Sequence, residues 1–238
     1  MDAEKRIIVA YDSSDFGRFL ACAEEFGSRV GFLKIRFSLA AQTGLQPVVS
    51  HAKKHDARIV YDPKFADIPN SMAEDVSAAV GCGVDMLTIH TSCGKDSIRA
   101  AVKNRGTAKI LGVTVLTSID TDECVSIFGV QARYMVPKFA ETLRDAGADG
   151  IVCSPQEVRL IRDRNEFDGM LVVTPGVRPE WAATNDQKRV MTPGEAIAVG
   201  ADYLVIGRPI LKPPPEIGTP LNAIERIAEE IRLARPKP

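Results

Sequence analysis

No Cys-x-x-Cys pair occurs in this 238-residue chain, and its five cysteines (Cys22, Cys82, Cys93, Cys124 and Cys153) are odd in number and scattered. That pattern excludes a dithiol redox motif and points to reduced thiols rather than a disulfide framework. Histidine is scarce, with three in all, and without paired cysteines no zinc site is expected. An excess of either charge is missing too: 30 Lys plus Arg stand against 31 Asp plus Glu. The balance argues against a broad nucleic-acid or anionic-membrane surface, though not against one local anion site. The opening stretch, MDAEKRIIVAYD, is charged and then apolar over a run too short for a signal peptide or a membrane span. No Gly-x-Gly-x-x-Gly follows that run, which weakens a dinucleotide-binding fold. Linkers and low-complexity segments are absent apart from a Pro-rich loop at Lys212–Pro215, and residues 235–238 read as a frayed tail. What remains is a single cytoplasmic domain over 1–238, in which 45% hydrophobic residues allow a sizeable core.

Apolar, β-rich runs recur along the chain at Ile7–Tyr11, Gly31–Ile35, Ala57–Tyr61, Asp85–His90, Ile110–Leu116, Gly150–Cys153, Met170–Thr174 and Tyr203–Ile206. Amphipathic helical patterns lie between them, among them Phe16–Arg29, Asn70–Cys82 and Pro137–Ala146. The phrases GVDMLTIH, GADGIVCS and GADYLVIG each put a helix-ending Gly before Asp and a buried strand. Eight strand-helix units favour a (β/α)8 TIM barrel in the α/β class over an open doubly wound sheet.

The densest chemistry is in Asp62-Pro63-Lys64-Phe65-Ala66-Asp67-Ile68-Pro69-Asn70. Two carboxylates flank one ammonium at the end of a buried run, and strand alternation points Asp62 and Lys64 the same way. Pro69 then opens a helix near its first position. Charges at the end of a buried strand are costly unless they pair or do chemistry. In a barrel the strand C-termini share one face, which here gathers Asp12, Lys34, Asp62, Lys64, His90, Ser92, Thr117, Ser118, Ser154 and Arg208. The bland alternative is a salt-bridge lattice closing the barrel end, but barrel layers are usually built from branched apolar residues. Loops after the seventh and eighth strands commonly hold phosphate. In this chain they read Thr174-Pro175-Gly176-Val177-Arg178-Pro179 and Ile206-Gly207-Arg208-Pro209. Their glycines let the backbone approach an anion, and Arg208 offers a bidentate fork. Glu180–Arg189 is long and polar, as a lid would be.

With these positions laid out, the chain resembles the orotidine 5′-phosphate decarboxylases nearly end to end. The match includes IIVAYD, LKI, YDPKFADIPNS, IHTS, VTVLTS, GIVCSPQE, VTPGVRP, NDQKR, MTP and DYLVIGRP. The resemblance implies decarboxylation of orotidine 5′-phosphate to UMP and CO2, the last step of pyrimidine nucleotide synthesis, without cofactor or metal. It implies that Lys64 protonates C6 of the pyrimidine as CO2 leaves, beside Asp62 in a Lys34-Asp62-Lys64-Asp67 array. Asp67 would reach in from a partner subunit, so that the active unit is a homodimer sharing its sites. Asp12 and Lys34 would contact the ribose, Ser71 would be offered across the interface, and Ser118 would bind the pyrimidine edge. Gln187 in the lid would touch phosphate and base, with Gly176, Gly207 and Arg208 gripping the phosphate.

Four positions depart from the family pattern: Arg36 close behind Lys34, Asn185 in the lid where Gly is common, and the milder Pro63 and Ser71. None removes a catalytic group. Magnesium-dependent relatives on the same barrel, such as hexulose-phosphate synthases, resemble one another in a metal-binding acid where Lys34 sits. A lysine there repels Mg²⁺. A non-catalytic nucleotide-binding barrel would have no reason to keep Lys64 between two acids, and no fused second domain is expected. Other polar residues read more plainly. His51 and His55 are expected in solvent, His90 packed beside the site, Trp181 as a lid or surface anchor, and Cys93 at the mouth with nothing to activate it.

Overall fold

All eight apolar runs form strands in the computed structural model, which describes residues 1–182 and 191–234. The strands are β1 (Ile7–Tyr11), β2 (Phe32–Arg36), β3 (Ile59–Phe65), β4 (Met86–His90), β5 (Lys109–Val113), β6 (Gly150–Val152), β7 (Leu171–Thr174) and β8 (Tyr203–Ile206). Each pairs in parallel with the next, and β8 pairs with β1 to close the barrel. Parallel neighbours need crossover connections. These run through helices α1 (Phe16–Phe26), α2 (Phe37–Thr43), α3 (Leu45–Lys54), α4 (Pro69–Gly81), α5 (Lys95–Asn104) and α6 (Thr121–Phe128). The outer layer continues with α7 (Ala132–Ala146), α8 (Val158–Arg162), α9 (Pro193–Ala198), α10 (Arg208–Leu211) and α11 (Pro220–Leu233).

Side-chain alternation splits the core in two. One face of each strand packs outward on the helices, as with Val9, Leu33, Ile35 and Ile59. The other face fills the barrel with Ile8, Phe32, Val60, Met86, Leu111, Val173 and Tyr203. Phe32 meets Tyr203 edge-on at 5.5 Å, a geometry worth about 0.5–1.5 kcal/mol beyond burial. Two residues further along β1 to β4 the same inward face carries Ala10, Lys34, Asp62 and Thr88. The period of two that builds the apolar plug therefore delivers the polar groups to its upper rim.

The three Gly-x-Asp phrases do more than end helices. Gly83, Gly147 and Gly200 have φ of +88°, +81° and +108°, a region that favours glycine. The aspartate two residues on then turns its carboxylate onto an amide in the first two residues of the preceding strand. Asp85 accepts from Ile59 N–H at 2.7 Å, Asp149 from Ile110 N–H at 2.9 Å, and Asp202 from Val172 N–H at 2.8 Å. Each carboxylate is also paired with a cation: Lys53, Arg105 and Arg162 respectively. These clamps stand at the N-terminal floor of the barrel, opposite the charged rim.

Several boundaries shift from the sequence expectation, and three of the shifts have a clear physical reason. Strand β3 continues past Tyr61 to Phe65, because the chain bulges instead of leaving the sheet: Tyr61 pairs with Leu87 and Phe65 with Ile89. Strand β5 stops at Val113, short of Leu116. Helix α7 begins at Ala132, five residues before Pro137, which lies inside it. Proline interrupts only one hydrogen bond in a second turn, and burial of Val136, Phe139, Ala140 and Leu143 on the same helix outweighs that cost. As expected, Pro69 takes the first position of α4.

Candidate active site

A cavity of about 320 Å³ opens at the C-terminal end of the barrel. Asp12, Lys34, Asp62, Lys64, Gly176, Gly207 and Arg208 all line it, together with Thr88, Thr117 and Arg178. Lys34 donates to Asp12 Oδ1 at 2.8 Å and to Asp62 Oδ2 at 3.1 Å. Lys64 donates to the same Asp62 Oδ2 at 2.8 Å. One carboxylate oxygen thus bridges two ammonium groups, and the four side chains alternate in sign around the rim.

Asp62 is the hub. Burial alone would push its carboxyl up, but Lys34, Lys64 and hydrogen bonds from Lys64 and Thr88 outweigh that and hold it at about 2. It is therefore an anion throughout the neutral range. Its second oxygen, Oδ1, accepts the Thr88 hydroxyl proton at 2.7 Å. Among the described residues Lys64 Nζ has a single hydrogen bond, to Asp62, which leaves two of its N–H groups available at the cavity. Lys64 also has a φ of +55°, unusual for a residue with a Cβ. This left-handed residue is the bulge that extends β3, and Asp62 and Lys64 meet through it rather than through plain strand alternation. A single such residue costs about 1–2 kcal/mol, and its N–H is anchored on Thr88 Oγ1 at 3.1 Å.

Above the cluster, Gly176 and Gly207 bring backbone to the cavity wall. A Cβ on Gly207 would sit 3.2 Å from the Ala10 carbonyl oxygen and 3.8 Å from Asp12 Oδ2, so a side chain would crowd the rim. Arg208 stands exposed at the edge, while Arg178 is buried with its N–H bonded to Met191 O at 2.9 Å.

Not every expected residue joins the cluster. Asp67 is exposed and outside the cavity, its Oδ1 accepting the Ile68 N–H at 2.7 Å. Ser71, on α4, is half-buried and does not line the cavity. Ser118 is exposed, and its neighbour Thr117 is the hydroxyl on the wall. Arg36 is exposed and also off the wall. Gln187 and Asn185, with most of the expected lid, lie outside the described residues. Burial, then the charge of Lys64, lowers the His90 pKa, so its half-buried ring is neutral at physiological pH. Burial pushes the Cys93 thiol up, away from an activated nucleophile. His51 and His55 prove half-buried with rings 4.9 Å apart, because α3 turns Val48, Val49 and Ala52 into the core beside them. Trp181 packs half-buried against the outer core.

Arg178 belongs to the loop whose sequence reads as part of a phosphate site, whereas one polar cavity residue, Thr88, escaped the sequence reading. Thr88 left a fainter signal, one hydroxyl inside the otherwise apolar Met86-Leu87-Thr88-Ile89, which reads equally well as a β-branched strand former.

Fold and site together define a (β/α)8-barrel enzyme with paired lysines and aspartates at its strand C-termini and a glycine-arginine cradle beside them. The chain belongs to the orotidine 5′-phosphate decarboxylase / HUMPS family, whose signature matches residues 5–219. It is 41% identical over 238 residues to the orotidine 5′-phosphate decarboxylase of Geobacter sulfurreducens, covering 96% of this chain and 97% of that one. It is 38% identical to that of Moorella thermoacetica, covering 99% and 95%. The crystal structure of orotidine 5′-phosphate decarboxylase from Lactobacillus acidophilus superimposes with a TM-score of 0.77 at 29% identity, covering 94% of this chain and 98% of that one. No helix among the described residues is long and apolar enough to cross a membrane.

Proposed function

We propose that this chain is a carboxy-lyase converting orotidine 5′-phosphate to UMP and CO2, the closing step of pyrimidine nucleotide synthesis, in the cytoplasm. The observation that carries the reading is the shared Asp62 Oδ2, held between the ammonium groups of Lys34 and Lys64. When the C6–carboxylate bond breaks, its electron pair stays on C6 in the plane of the ring, where no π system absorbs it. A fixed ammonium beside C6 stabilises that pair and then supplies the proton. Lys64 is the group placed to do so. Its nitrogen is held by Asp62, and it recovers a proton from water after turnover. Lys34 already supplies the cation between Asp12 and Asp62, at the position where the metal-dependent relatives carry a metal-binding acid. Phosphate gripped by the Gly176, Gly207 and Arg208 loops supplies remote binding energy that holds the pyrimidine against the charged array.

The active unit is a homodimer with sites shared between subunits. Support comes from Asp67, displaced from its own cluster, and from Phe37 and Ile68 on the same end of the barrel, 62% and 66% exposed. Two large apolar side chains left open at the end of the barrel that carries the site favour an association surface there. The direct test is spectrophotometric: the orotate chromophore disappears on mixing with orotidine 5′-phosphate, and EDTA leaves the rate unchanged. A stable chromophore at high enzyme concentration would rule the activity out.

Phosphate recognition has its own test. Arg208→Ala is expected to lower kcat/KM by roughly 2–4 kcal/mol, the scale of a desolvated charge-assisted contact. The nucleoside orotidine, lacking phosphate, should turn over slowly and equally with both proteins. An equal loss on orotidine would show that Arg208 serves something other than the phosphate.

A further inference from the structure

We infer that Thr88 is a positioning residue that sets the direction of Asp62 and the backbone of Lys64 at once. The inference rests on the decarboxylase reading of the site. Thr88 sits on the inward face of β4, two residues beyond Met86 in the barrel plug, and is 3% exposed. Its hydroxyl has one proton to give, and it goes to Asp62 Oδ1 at 2.7 Å. Its oxygen accepts the Lys64 N–H at 3.1 Å. The two residues joined by this hydroxyl are the carboxylate at the hub and the lysine with the left-handed backbone.

The geometry follows from the orientation of the carboxylate: Thr88 holds Oδ1 toward β4, and Oδ2 is then the oxygen that faces the ammonium groups. That is how Lys34 and Lys64 come to share one oxygen, at 3.1 and 2.8 Å. Without the hydroxyl, Oδ1 is a buried acceptor with no partner, and the carboxylate gains by rotating to offer Oδ1 to a lysine. The Lys64 amide loses its acceptor at the same moment, and with it the anchor of a backbone conformation that a side-chain-bearing residue avoids. Both changes move Lys64 Nζ relative to the reacting carbon. Neither touches the Gly176, Gly207 and Arg208 loops.

Thr88→Val, which keeps the shape and removes the hydroxyl, is therefore expected to lower kcat by about 10- to 100-fold, the effect of one lost hydrogen bond to a charged group. KM should stay within about twofold, because phosphate binding is untouched. Thr88→Ser restores the hydroxyl and should recover most of kcat. A second readout separates positioning from packing. With one hydrogen-bond donor gone, the Asp62 carboxyl becomes easier to protonate, so the acid limb of the kcat/KM profile and the ¹³C titration of Asp62 both move to higher pH. Should Thr88→Val fold poorly, Thr88→Ala makes the same comparison with a smaller side chain. A kcat like the wild type in the variant, or a fall in kcat with both titrations unmoved, overturns the proposal. The ¹³C titration needs no turnover. If the wild-type protein left orotidine 5′-phosphate intact, the hold of Thr88 on Asp62 would still be measured while the decarboxylase reading failed by itself.

Discussion

Lys64→Ala is expected to abolish UMP formation, with a loss of at least about 10⁴-fold in kcat from removing the proton donor and the cation at the carbanion together. Nucleotide should still bind, in weakened form, since Gly176, Gly207 and Arg208 remain in place. The substitution also leaves Asp62 with Lys34 as its one ammonium partner, which is enough to keep a buried carboxylate paired. An alanine at φ +55° is no more comfortable than a lysine, so the backbone gains little by relaxing and the loss is chemical. Turnover near the wild-type rate in a folded Lys64→Ala protein would end the proposed mechanism.

The second large effect is a recovery. Lys64→Ala and Asp67→Ala homodimers should each be nearly inactive if Asp67 completes the site of a neighbour. In a mixed dimer one site then collects both lesions and the other collects neither. Random exchange makes half the dimers mixed, each with one intact site of two, so about 25% of wild-type activity should return. The displaced position of Asp67, bonded to its own Ile68 N–H and off the cavity wall, motivates the experiment. If exchange is demonstrated and the mixture stays dead, Asp67 acts within its own chain and the shared site is wrong.

Much of this arrangement is legible in the amino-acid sequence. Ile7–Tyr11 and Tyr203–Ile206 read as strands with their observed ends, because a short apolar run bounded by polar residues has few other places to go. Asp12, Lys34, Asp62 and Lys64 were legible as a cluster, since strand C-termini in a barrel converge. What escaped depended on backbone conformations that composition does not encode. Nothing about Lys64 announces a left-handed φ, so β3 seemed to end four residues early. Thr88 is chemically important through the oxygen it turns inward, and a threonine in a strand looks the same from either face. Thr117 and Ser118 are adjacent hydroxyls, and a loop decides which one meets the cavity. Pro137 looked like a helix start because proline is at home there, whereas the apolar face of α7 carried the helix through it.

The aspartate clamps at the barrel floor bear on how the chain closes into a ring. They join residues 26, 39 and 30 positions apart, whereas the β1–β8 seam, where Arg6 reaches the Ala201 carbonyl, spans 195. Chain-closure entropy grows with the logarithm of that span, so the seam costs roughly 1–2 kcal/mol more to draw shut than any single clamp. Neighbouring hairpin-sized segments can therefore lock by themselves, and the ring as a whole is held by its last join. Side chains reinforce that join from both ends of the described chain: Arg6 reaches Ala201, and Arg232 of the final helix reaches Glu4 beside the first strand.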